Sequence, residues 1–217
     1  MPSTNNVLCR AWLITPYAPS EIALSCSSIQ ETDIIIAVDG GLEICKELNL
    51  IPKLLIGDMD SLPSATVENL PPGCEKITYQ VEKDETDTQL AVEYCLEHNI
   101  REIFICNDLS GRFDHTLALI QNLQQAHRNG IKATLVSQTQ IITILSSDVT
   151  LSHPVNSLLS LISITEKTEF SSSTGLRYPL DNLTLYNWQS RGISNVVTEP
   201  VQTLNIVSGQ VLSISTQ

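Results

Sequence analysis

Paired carboxylates in the segment 57–61, which reads GDMDS, give the strongest chemical signal in the sequence. Asp58 and Asp60 stand two residues apart just past a predicted strand, so both can converge on one divalent cation or hold it through water. The competing interpretation makes Asp60 or Ser61 the cap of the following helix. Capping explains one acid and leaves Asp58 with only repulsion from its neighbour. The segment therefore favours a metal site.

Another acid, Asp39, follows the apolar strand predicted over 33–38 and precedes Gly40 and Gly41. Glycines at this point permit a tight turn and let a phosphate or a sugar approach the backbone closely. The alternative is a plain strand-to-helix turn in which Asp39 caps a helix at 42–48. Taken alone, this short motif favours the plain turn.

The segment 82–89, EKDETDTQ, opens a helix predicted over 86–98 and supports two interpretations equally. Asp84 is a competent N-cap, and acids in a first helical turn offset the helix dipole. Asp84 and Asp87 also point the same way from the helix N-terminus, where Lys83 beside them can meet a phosphate. Capping and ligand binding both remain open for this segment.

The segment 108–115, DLSGRFDH, repeats this arrangement after another predicted strand. Gly111 permits close approach of a ligand, and Arg112 offers a forked donor to phosphate. Asp114 can cap the next helix while it faces the ligand. His115 can transfer a proton, although a single histidine in a first helical turn more often has a structural role.

Strands and helices alternate in the first part of the chain, which predicts an α/β fold with a mainly parallel sheet. Short apolar runs mark strands over 7–14, 33–38, 54–56, 102–106 and 133–136, and a helical period marks helices over 86–98 and 114–128. The carboxyl ends of parallel strands meet at one edge, so the acidic motifs predict a metal-dependent phosphate-transfer site in one crevice. The usual nucleotide loops, GxxxxGK[ST] and GxGxxG, do not occur in the sequence.

The amino-acid composition changes near residue 140, after which serine is frequent and charged residues are few. Short apolar runs there are separated by turn residues, as in antiparallel sheets. Strands are predicted over 141–145, 158–164, 183–186, 195–197, 204–207 and 211–215, with no helix. We expect an α/β domain over 1–140 and an antiparallel β-sandwich or barrel over 141–217, although the run 141–145 can close either domain.

The formal charge of −12 at pH 7, from 24 acidic and 12 basic side chains, disfavours nucleic acid as a partner. An acidic protein that handles phosphates needs metal ions to bring the two together. No apolar run is long enough to span a membrane, and the first residues lack the pattern of a secretory signal. The six cysteines form no CxxC pair, which favours thiols in a reducing cytosol. We therefore expect a cytoplasmic protein.

Taken in order, these motifs resemble those of the thiamine pyrophosphokinase family. The similarity rests on Asp39-Gly40-Gly41, GDMDS at 57–61, KDETD at 83–87 and GRFDH at 111–115, and it continues in TGLRYPL at 174–180 and in Ser194-Asn195. The resemblance implies an α/β domain that binds ATP and metal, and a β-sandwich domain that contributes to the thiamine site. It also implies a homodimer with each active site formed between subunits. The loop 15–19, TPYAP, departs from the family pattern, in which many members carry Asn-Gly.

The reaction implied by the resemblance transfers a pyrophosphoryl group from ATP to the hydroxyethyl oxygen of thiamine and releases AMP. Mg²⁺ is the implied cofactor. Its implied ligands are Asp58, Asp60 and Asp87, and Asp84 is a further ligand or orients a bound water. Such a site works chiefly by positioning the reacting atoms and neutralising the phosphates.

The resemblance also implies roles for the other polar residues. Lys83 and Arg112 stabilise phosphate charge, and Asp114 orients Arg112 or binds the metal through water. Implied nucleotide contacts are Asp39, Gly40, Gly41, Lys83, Thr86, Gly111, Asp114 and His115, and implied acceptor contacts are Gln89, Tyr178, Ser194 and Asn195. Tyr178 and Trp188 suit a flat heteroaromatic cation such as thiamine. The alternative is packing in the sandwich core, which is favoured for Trp188.

Three other functions are open. The run LLIGDMDS at 54–61 superficially matches a phosphatase of the haloacid dehalogenase type, in which Asp58 would be a nucleophile. A related pyrophosphokinase with a pterin acceptor shares the transfer chemistry and differs only in its acceptor. A non-catalytic nucleotide-sensing dimer would keep the fold without turnover, although it has little reason to gather carboxylates around a polyanion.

Overall fold

The computed structural model describes residues 10–19 and 29–216, and the chain divides into two compact units, Met1–Gln138 and Thr139–Gln217. The boundary predicted from the sequence lies after residue 140. The run predicted over 141–145 forms the strand Gln140–Leu145, which belongs wholly to the second unit. Residues 7–9 of the first predicted strand, together with Cys26, lie outside the described residues.

The first unit is built on parallel strands with helices between them. Its described strands are β1 (Arg10–Ile14), β2 (Ile34–Val38), β3 (Leu54–Gly57), β4 (Glu75–Thr78), β5 (Glu102–Cys106) and β6 (Lys132–Val136). Its described helices are α1 (Gly41–Glu47), α2 (Ser64–Glu68), α3 (Asp87–Glu97) and α4 (Phe113–Arg128). Within this unit the strands are parallel in the order β6-β5-β1-β2-β3-β4, which confirms the predicted α/β fold.

Apolar runs form the central strands because these strands are covered on both faces. Leu13 of β1, Ile36 of β2 and Leu55 of β3 are completely buried, as expected for parallel strands inside an α/β unit. The edge strand β4 does not follow this pattern, since most of its side chains are exposed. The sequence therefore gives no apolar signal for β4, and this strand was not predicted.

The strand order opens a crevice between β1 and β5. From β1 the strands follow one another across the sheet to β4, whereas β5 and β6 lie on the other side of β1. The connections after β1 and β5 therefore leave in opposite directions, and the gap between them is the usual ligand site of such sheets. No helix among residues 10–19 and 29–216 is long and apolar enough to cross a membrane.

The second unit consists of two antiparallel layers around an apolar core. Its strands are β7 (Gln140–Leu145), β8 (Val149–Ser152), β9 (Leu158–Ser163), β10 (Lys167–Thr174), β11 (Thr184–Tyr186), β12 (Asn195–Val196), β13 (Val201–Ser208) and β14 (Val211–Thr216). Within this unit the orders are β12-β9-β14-β7 and β11-β10-β13-β8. Leu161 and Val211 of one layer pack in a cluster with Phe170, Leu185 and Leu204 of the other. This confirms the β-sandwich, while β8 and β10, which contain few apolar residues, were not predicted.

A buried carboxylate ties the first two strands together. Asp33, just before β2, accepts hydrogen bonds from Arg10 Nε at 2.9 Å and Arg10 Nη2 at 2.6 Å. It also accepts from Trp12 Nε1 at 2.8 Å and from the Gln30 N–H at 2.9 Å. Burial opposes ionisation of Asp33, but the hydrogen bonds from Arg10, Gln30 and Trp12 outweigh it and hold its pKa below the usual value.

We expect Asp33→Asn to lower the free energy of unfolding by about 2 kcal/mol at neutral pH, because the hydrogen bonds that Arg10 donates at this position lose their charged acceptor. The folded-state pKa of Asp33 lies below its unfolded value, so the carboxylate stabilises the fold above the unfolded pKa. This stabilisation is lost as the pH falls through the folded-state pKa. The difference between the variant and the wild type should therefore shrink on acidification.

Urea unfolding from neutral pH down to about pH 3 measures this difference. The exposed neighbour Glu31 supplies a matched control, Glu31→Gln, which should leave stability unchanged. An Asp33→Asn variant as stable as the wild type at neutral pH would contradict the expectation.

Candidate active site

The loops that follow β1 and β5 meet at the crevice and are held by hydrogen bonds to each other. Thr15 Oγ1 donates to the carbonyl oxygen of Cys106 at 2.7 Å, and Asn107 Nδ2 donates to Thr15 Oγ1 at 2.9 Å. Asn107 Oδ1 accepts from the Leu109 N–H at 2.9 Å, which fixes the turn after β5. Sequence reasoning missed Thr15 and Asn107, because one polar residue in a loop carries no pattern.

A cleft of about 330 Å³ lies beside these loops, within the size range of small-molecule sites. One wall is a face of α4, where His115, Leu119 and Asn122 follow one another at helical spacing. Asp39 and Asp87 also line the cleft. Acidic, amide and apolar groups therefore share one cavity at the carboxyl edge of the sheet.

Three carboxylates from different elements converge at this edge. Asp39 follows β2, Asp58 follows β3 and Asp87 begins α3, and one oxygen from each lies within 4.8 Å of the others. Gly57 permits this approach, since its φ is 149° and a Cβ there would stand 3.1 Å from the Cβ of Asp39. This cluster is consistent with the prediction that parallel strands bring the acidic motifs to one edge of the sheet.

Asp39 is buried, yet only one of its carboxylate oxygens is satisfied by the protein. Ser61 Oγ donates to Oδ2 at 2.6 Å, whereas Oδ1 has no hydrogen-bond partner. The Asp39 N–H donates to the carbonyl oxygen of Ile56 at 2.8 Å and helps to hold a left-handed backbone with φ of 47°. A buried carboxylate oxygen without a donor is unfavourable, and a cation beside it removes that penalty.

Lys83 supplies a positive charge to the other two carboxylates. Its Nζ lies 2.7 Å from Asp58 Oδ2 and 3.1 Å from Asp87 Oδ1. Burial is the largest effect and opposes the charged forms of Lys83 and Asp58, but the hydrogen bonds and charge interactions of each group together outweigh it, so the pKa of Lys83 is raised and that of Asp58 is lowered. Burial raises the pKa of Asp87, and Lys83 offsets only part of this rise. One ammonium group thus leaves a cluster of three carboxylates with a formal negative charge, which attracts a further cation.

The donor set suits Mg²⁺, which takes oxygen ligands and commonly binds one or two carboxylates. The unpartnered Oδ1 of Asp39 is the observation that supports this fit. Asp60, a predicted ligand, lies outside the cluster of Asp39, Asp58 and Asp87. Its carboxylate is exposed, its N–H donates to Asp58 Oδ1 at 3.2 Å, and the negative charge of Asp58 raises its pKa. Which of these acids bind a metal ion stays a prediction.

The N-cap of α3 is not the residue that the capping interpretation of segment 82–89 predicted. Thr86, and not Asp84, is the N-cap, because Thr86 Oγ1 accepts from the Gln89 N–H at 3.2 Å. Asp87 is therefore the first helical residue, and Asp84 is exposed in the preceding loop. The side chain of Gln89, a predicted acceptor contact, donates to Glu93 Oε1 at 3.0 Å on its own helix.

The loop before α4 carries an exposed ion pair. Arg112 donates to Asp114 through Nε at 3.1 Å and through Nη2 at 2.6 Å, and its hydrogen bonds lower the pKa of Asp114. Asp114 Oδ1 also accepts from the His115 N–H, while Arg112 occupies the N-cap position and its side chain makes no capping hydrogen bond. Gly111, Arg112 and His115 line the cleft.

The two glycines after Asp39 serve the packing of the unit. A Cβ on Gly41 would lie 1.8 Å from the carbonyl oxygen of Ile14, so only glycine lets α1 begin this close to β1. A Cβ on Gly40 would lie 2.9 Å from Ser61 Oγ, the group that holds Asp39. Whether either backbone also contacts a nucleotide stays a prediction.

The predicted acceptor contacts of the second unit have different surroundings. Tyr178 is 62% exposed, and Trp188 is 71% exposed beside the ring of Tyr186, so the expectation that Trp188 packs in the sandwich core is wrong. Asn195 is buried, with Oδ1 accepting from the Tyr178 N–H at 3.0 Å and Nδ2 donating to the Tyr178 carbonyl at 2.7 Å. Ser194 is exposed, with a φ of 57°. Asn195 thus positions the loop of Tyr178, whereas Tyr178 and Ser194 are accessible.

Comparison with known proteins gives consistent results. The family model "Thiamin pyrophosphokinase, catalytic domain" matches residues 26–135. The chain is 29% identical over 189 residues to thiamine pyrophosphokinase of Bacillus subtilis (strain 168), covering 85% of this chain and 87% of that one. It is 27% identical over 200 residues to thiamin pyrophosphokinase 1 of Caenorhabditis elegans, covering 82% and 77%.

Solved structures show the same relationship. The crystal structure of thiamine pyrophosphokinase from Bacillus subtilis matches with a TM-score of 0.84 at 26% identity, covering 95% of this chain and 99% of that one. Yeast thiamin pyrophosphokinase, at 15% identity, shares the fold with a TM-score of 0.79, covering 99% of this chain and 88% of that one.

A parallel α/β unit with an acidic crevice and an antiparallel β-sandwich together form a mixed α/β architecture, which the chain shares with the Bacillus subtilis enzyme. Because the family model matches residues 26–135, about half of the sequence, the chain belongs to the thiamin pyrophosphokinase family. The resemblance seen in the motifs is thereby confirmed. Membership in this family disfavours the phosphatase interpretation of the D-x-D motif.

We expect the cluster to bind Mn²⁺ in place of Mg²⁺, and Asp39→Asn to weaken this binding by about tenfold, because it removes a charged oxygen ligand. Asp60→Asn should have a smaller effect, since that carboxylate lies outside the cluster. Titration with Mn²⁺ followed by electron paramagnetic resonance measures the affinities. Glu68→Gln, at an exposed acid, is the control that should change nothing. A larger loss for Asp60→Asn than for Asp39→Asn would favour the ligand set implied by the resemblance.

Proposed function

We propose that this protein transfers a pyrophosphoryl group from ATP to the hydroxyethyl oxygen of thiamine, with thiamine diphosphate and AMP as products. Membership in the family and the named relatives support this activity. The observation that carries the proposal is the convergence of Asp39, Asp58 and Asp87 beside a cleft of suitable size. Such a cluster repels a polyphosphate unless cations intervene, so the proposal includes Mg²⁺ as the cofactor.

The residues of the cluster have complementary tasks in this proposal. Bound Mg²⁺ would neutralise phosphate oxygens and help to align the β-phosphorus of ATP with the attacking oxygen. Asp58 and Asp87 offer carboxylate oxygens from two elements, and Ser61 orients Asp39 through a 2.6 Å hydrogen bond. Lys83 keeps its positive charge beside Asp58 and Asp87 and can donate to a phosphate oxygen.

The loop before α4 supplies the second group of phosphate contacts. Asp114 engages Nε and Nη2 of Arg112, which orients the guanidinium and leaves its other N–H groups to donate to phosphate. Gly111 keeps this loop open to a ligand, and His115 lies one turn further along the cleft wall. Thr86 and Asp84 at the start of α3 complete the proposed nucleotide side, with Asp84 orienting water.

For the acceptor we propose Gln89, Tyr178 and Ser194 as contacts. The exposed ring of Tyr178 suits stacking with the cationic rings of thiamine. Asn195 acts through its two hydrogen bonds to the backbone of Tyr178 and therefore positions the loop. In this proposal the protein is a homodimer in which the sandwich unit of one subunit completes the acceptor site of the other. Side chains of the sandwich unit that are exposed in a single chain are then covered by the other subunit.

A cytoplasmic location completes the proposal. The thiols of Cys45, Cys95 and Cys106 are buried, as expected for a protein of a reducing compartment. Burial raises the pKa of Cys45 to about 12, which keeps this thiol protonated and unreactive.

Incubation of the protein with Mg²⁺, ATP and thiamine should yield AMP and thiamine diphosphate in equal amounts, because the bond broken lies between the α- and β-phosphates. Chromatography of the nucleotides and thiamine esters measures both products. Removal of Mg²⁺ with a chelator should stop the reaction. Release of ADP or inorganic phosphate instead of AMP would contradict the proposal, and AMP formed only with a hydroxymethyl pterin would support the pterin alternative.

Two inactive variants should regain activity when mixed, if each site is formed from two subunits. One variant carries Asp58→Asn in the first unit, and the other carries Tyr178→Ala with Ser194→Ala at exposed positions of the second. After random exchange about half of the dimers are mixed, each with one intact site, so about a quarter of the wild-type activity should return. Light scattering and differently tagged subunits report the dimer and the exchange. A monomer at assay concentration, or exchange without recovery, would contradict the shared site.

A further inference from the structure

A buried amide without a hydrogen-bond partner lies in the cleft of the first unit. Asn122 on α4 is only 4% exposed, it lines the cleft, and its Nδ2 group has no hydrogen-bond partner. An N–H donor buried in this way is unfavourable in the protein alone. A ligand that brings an acceptor into the cleft removes this penalty when it binds. The phosphate-transfer chemistry proposed above leaves Asn122 without a task.

The position of Asn122 along α4 separates it from the charged end of the cleft. It lies ten residues beyond Arg112, which corresponds to about 15 Å along a helix. Arg112 and Asp87 stand where helices begin, at the carboxyl edge of the sheet. The lining residues one helical turn before Asn122 on α4, Ala118 and Leu119, are apolar. The cleft therefore has a charged end that suits phosphates and a further part that suits a flat, uncharged ring with polar edges.

We propose that Asn122 recognises the adenine base of ATP, with Nδ2 donating to a ring nitrogen and Oδ1 accepting from the exocyclic amino group. The inference rests on the proposed function, since it requires a nucleotide whose phosphates lie at the carboxylate cluster. Adenine presents an acceptor and a donor side by side, the pattern that a carboxamide pairs with through two hydrogen bonds. At N7 and O6 guanine presents two acceptors, so an amide that pairs with N7 and the amino group of adenine satisfies only one of them. Asn122 thus makes the site selective for adenine.

Calorimetric titration with Mg²⁺ and the α,β-methylene analogues of ATP and GTP tests this assignment, because these analogues cannot undergo the transfer. The wild type should bind the ATP analogue more tightly than the GTP analogue. Asn122→Leu removes both polar groups at similar size, and Asn122→Asp keeps the shape but replaces the donor with an acceptor. Each should weaken binding of the ATP analogue by about tenfold and reduce the preference for adenine. The KM for thiamine at saturating ATP should stay within about twofold of the wild-type value, as expected for a residue that contacts only the nucleotide.

A matched control is Gln121→Leu, which changes an exposed amide on the same helix outside the cleft and should leave nucleotide binding unchanged. Thermal unfolding should show Asn122→Leu to be at least as stable as the wild type, because an apolar side chain replaces an unsatisfied donor. A destabilised variant would indicate that the amide serves the fold instead and would overturn the assignment.

Other results would also overturn it. If the wild type binds both analogues equally, the site does not recognise adenine, and no variant is needed to show this. A rise in the KM for thiamine with unchanged affinity for the ATP analogue would assign Asn122 to the acceptor. The product assay distinguishes these results from a failure of the proposed function, because AMP and thiamine diphosphate can form whichever residue recognises the adenine base. A wild type that does not bind the ATP analogue overturns both proposals.

Discussion

Asp39, Asp58 and Asp87 bring like charges within 4.8 Å of one another, and the first unit has to hold them there against their repulsion. Backbone geometry does part of this, since Gly57 lets two strand ends approach and the Ile56 carbonyl holds Asp39 in a left-handed conformation. Lys83 offsets part of the charge through its two short contacts. The remaining negative charge and the unpartnered oxygen of Asp39 favour the binding of a further cation.

Three buried polar atoms of the cleft lack a hydrogen-bond partner, and of these Asp87 Oδ1 has at least the charge of Lys83 at 3.1 Å, whereas the other two are unsatisfied in opposite senses. Asp39 Oδ1 is an acceptor that lacks a donor or cation, and Asn122 Nδ2 is a donor that lacks an acceptor. The first lies at the carboxyl edge of the sheet, and the second lies further along α4. Buried polar groups are otherwise nearly always paired in native proteins. A metal-bound nucleotide would satisfy both at once, because it carries a cation at one end and a heterocycle at the other.

The second unit keeps aromatic surface outside its own core. The cluster around Phe170 and Leu161 closes the sandwich without Tyr178 or Trp188, which remain exposed. Asn195 holds the loop of Tyr178 through the backbone, so the position of this ring is set although its surface is open. Exposed aromatic side chains on an ordered loop are typical of surfaces that contact a ligand or another subunit.

The sequence by itself determined the α/β and β-sandwich architecture and indicated that the acidic motifs share one crevice, because strand and helix periods are local and parallel strands share one carboxyl edge. Only the tertiary structure decided that the carboxylate of Asp39 lies within 4.8 Å of those of Asp58 and Asp87, and that Asp60 lies outside this cluster. In the sequence Asp58 and Asp60 are neighbours, but Met59 between them is left-handed, with φ of 65°, and Asp60 is exposed. Likewise Asn122 is one amide among several in α4 until packing buries its Nδ2 and leaves it without a partner. Side-chain direction and burial depend on contacts between segments that are distant in the sequence, so a local sequence pattern does not predict them.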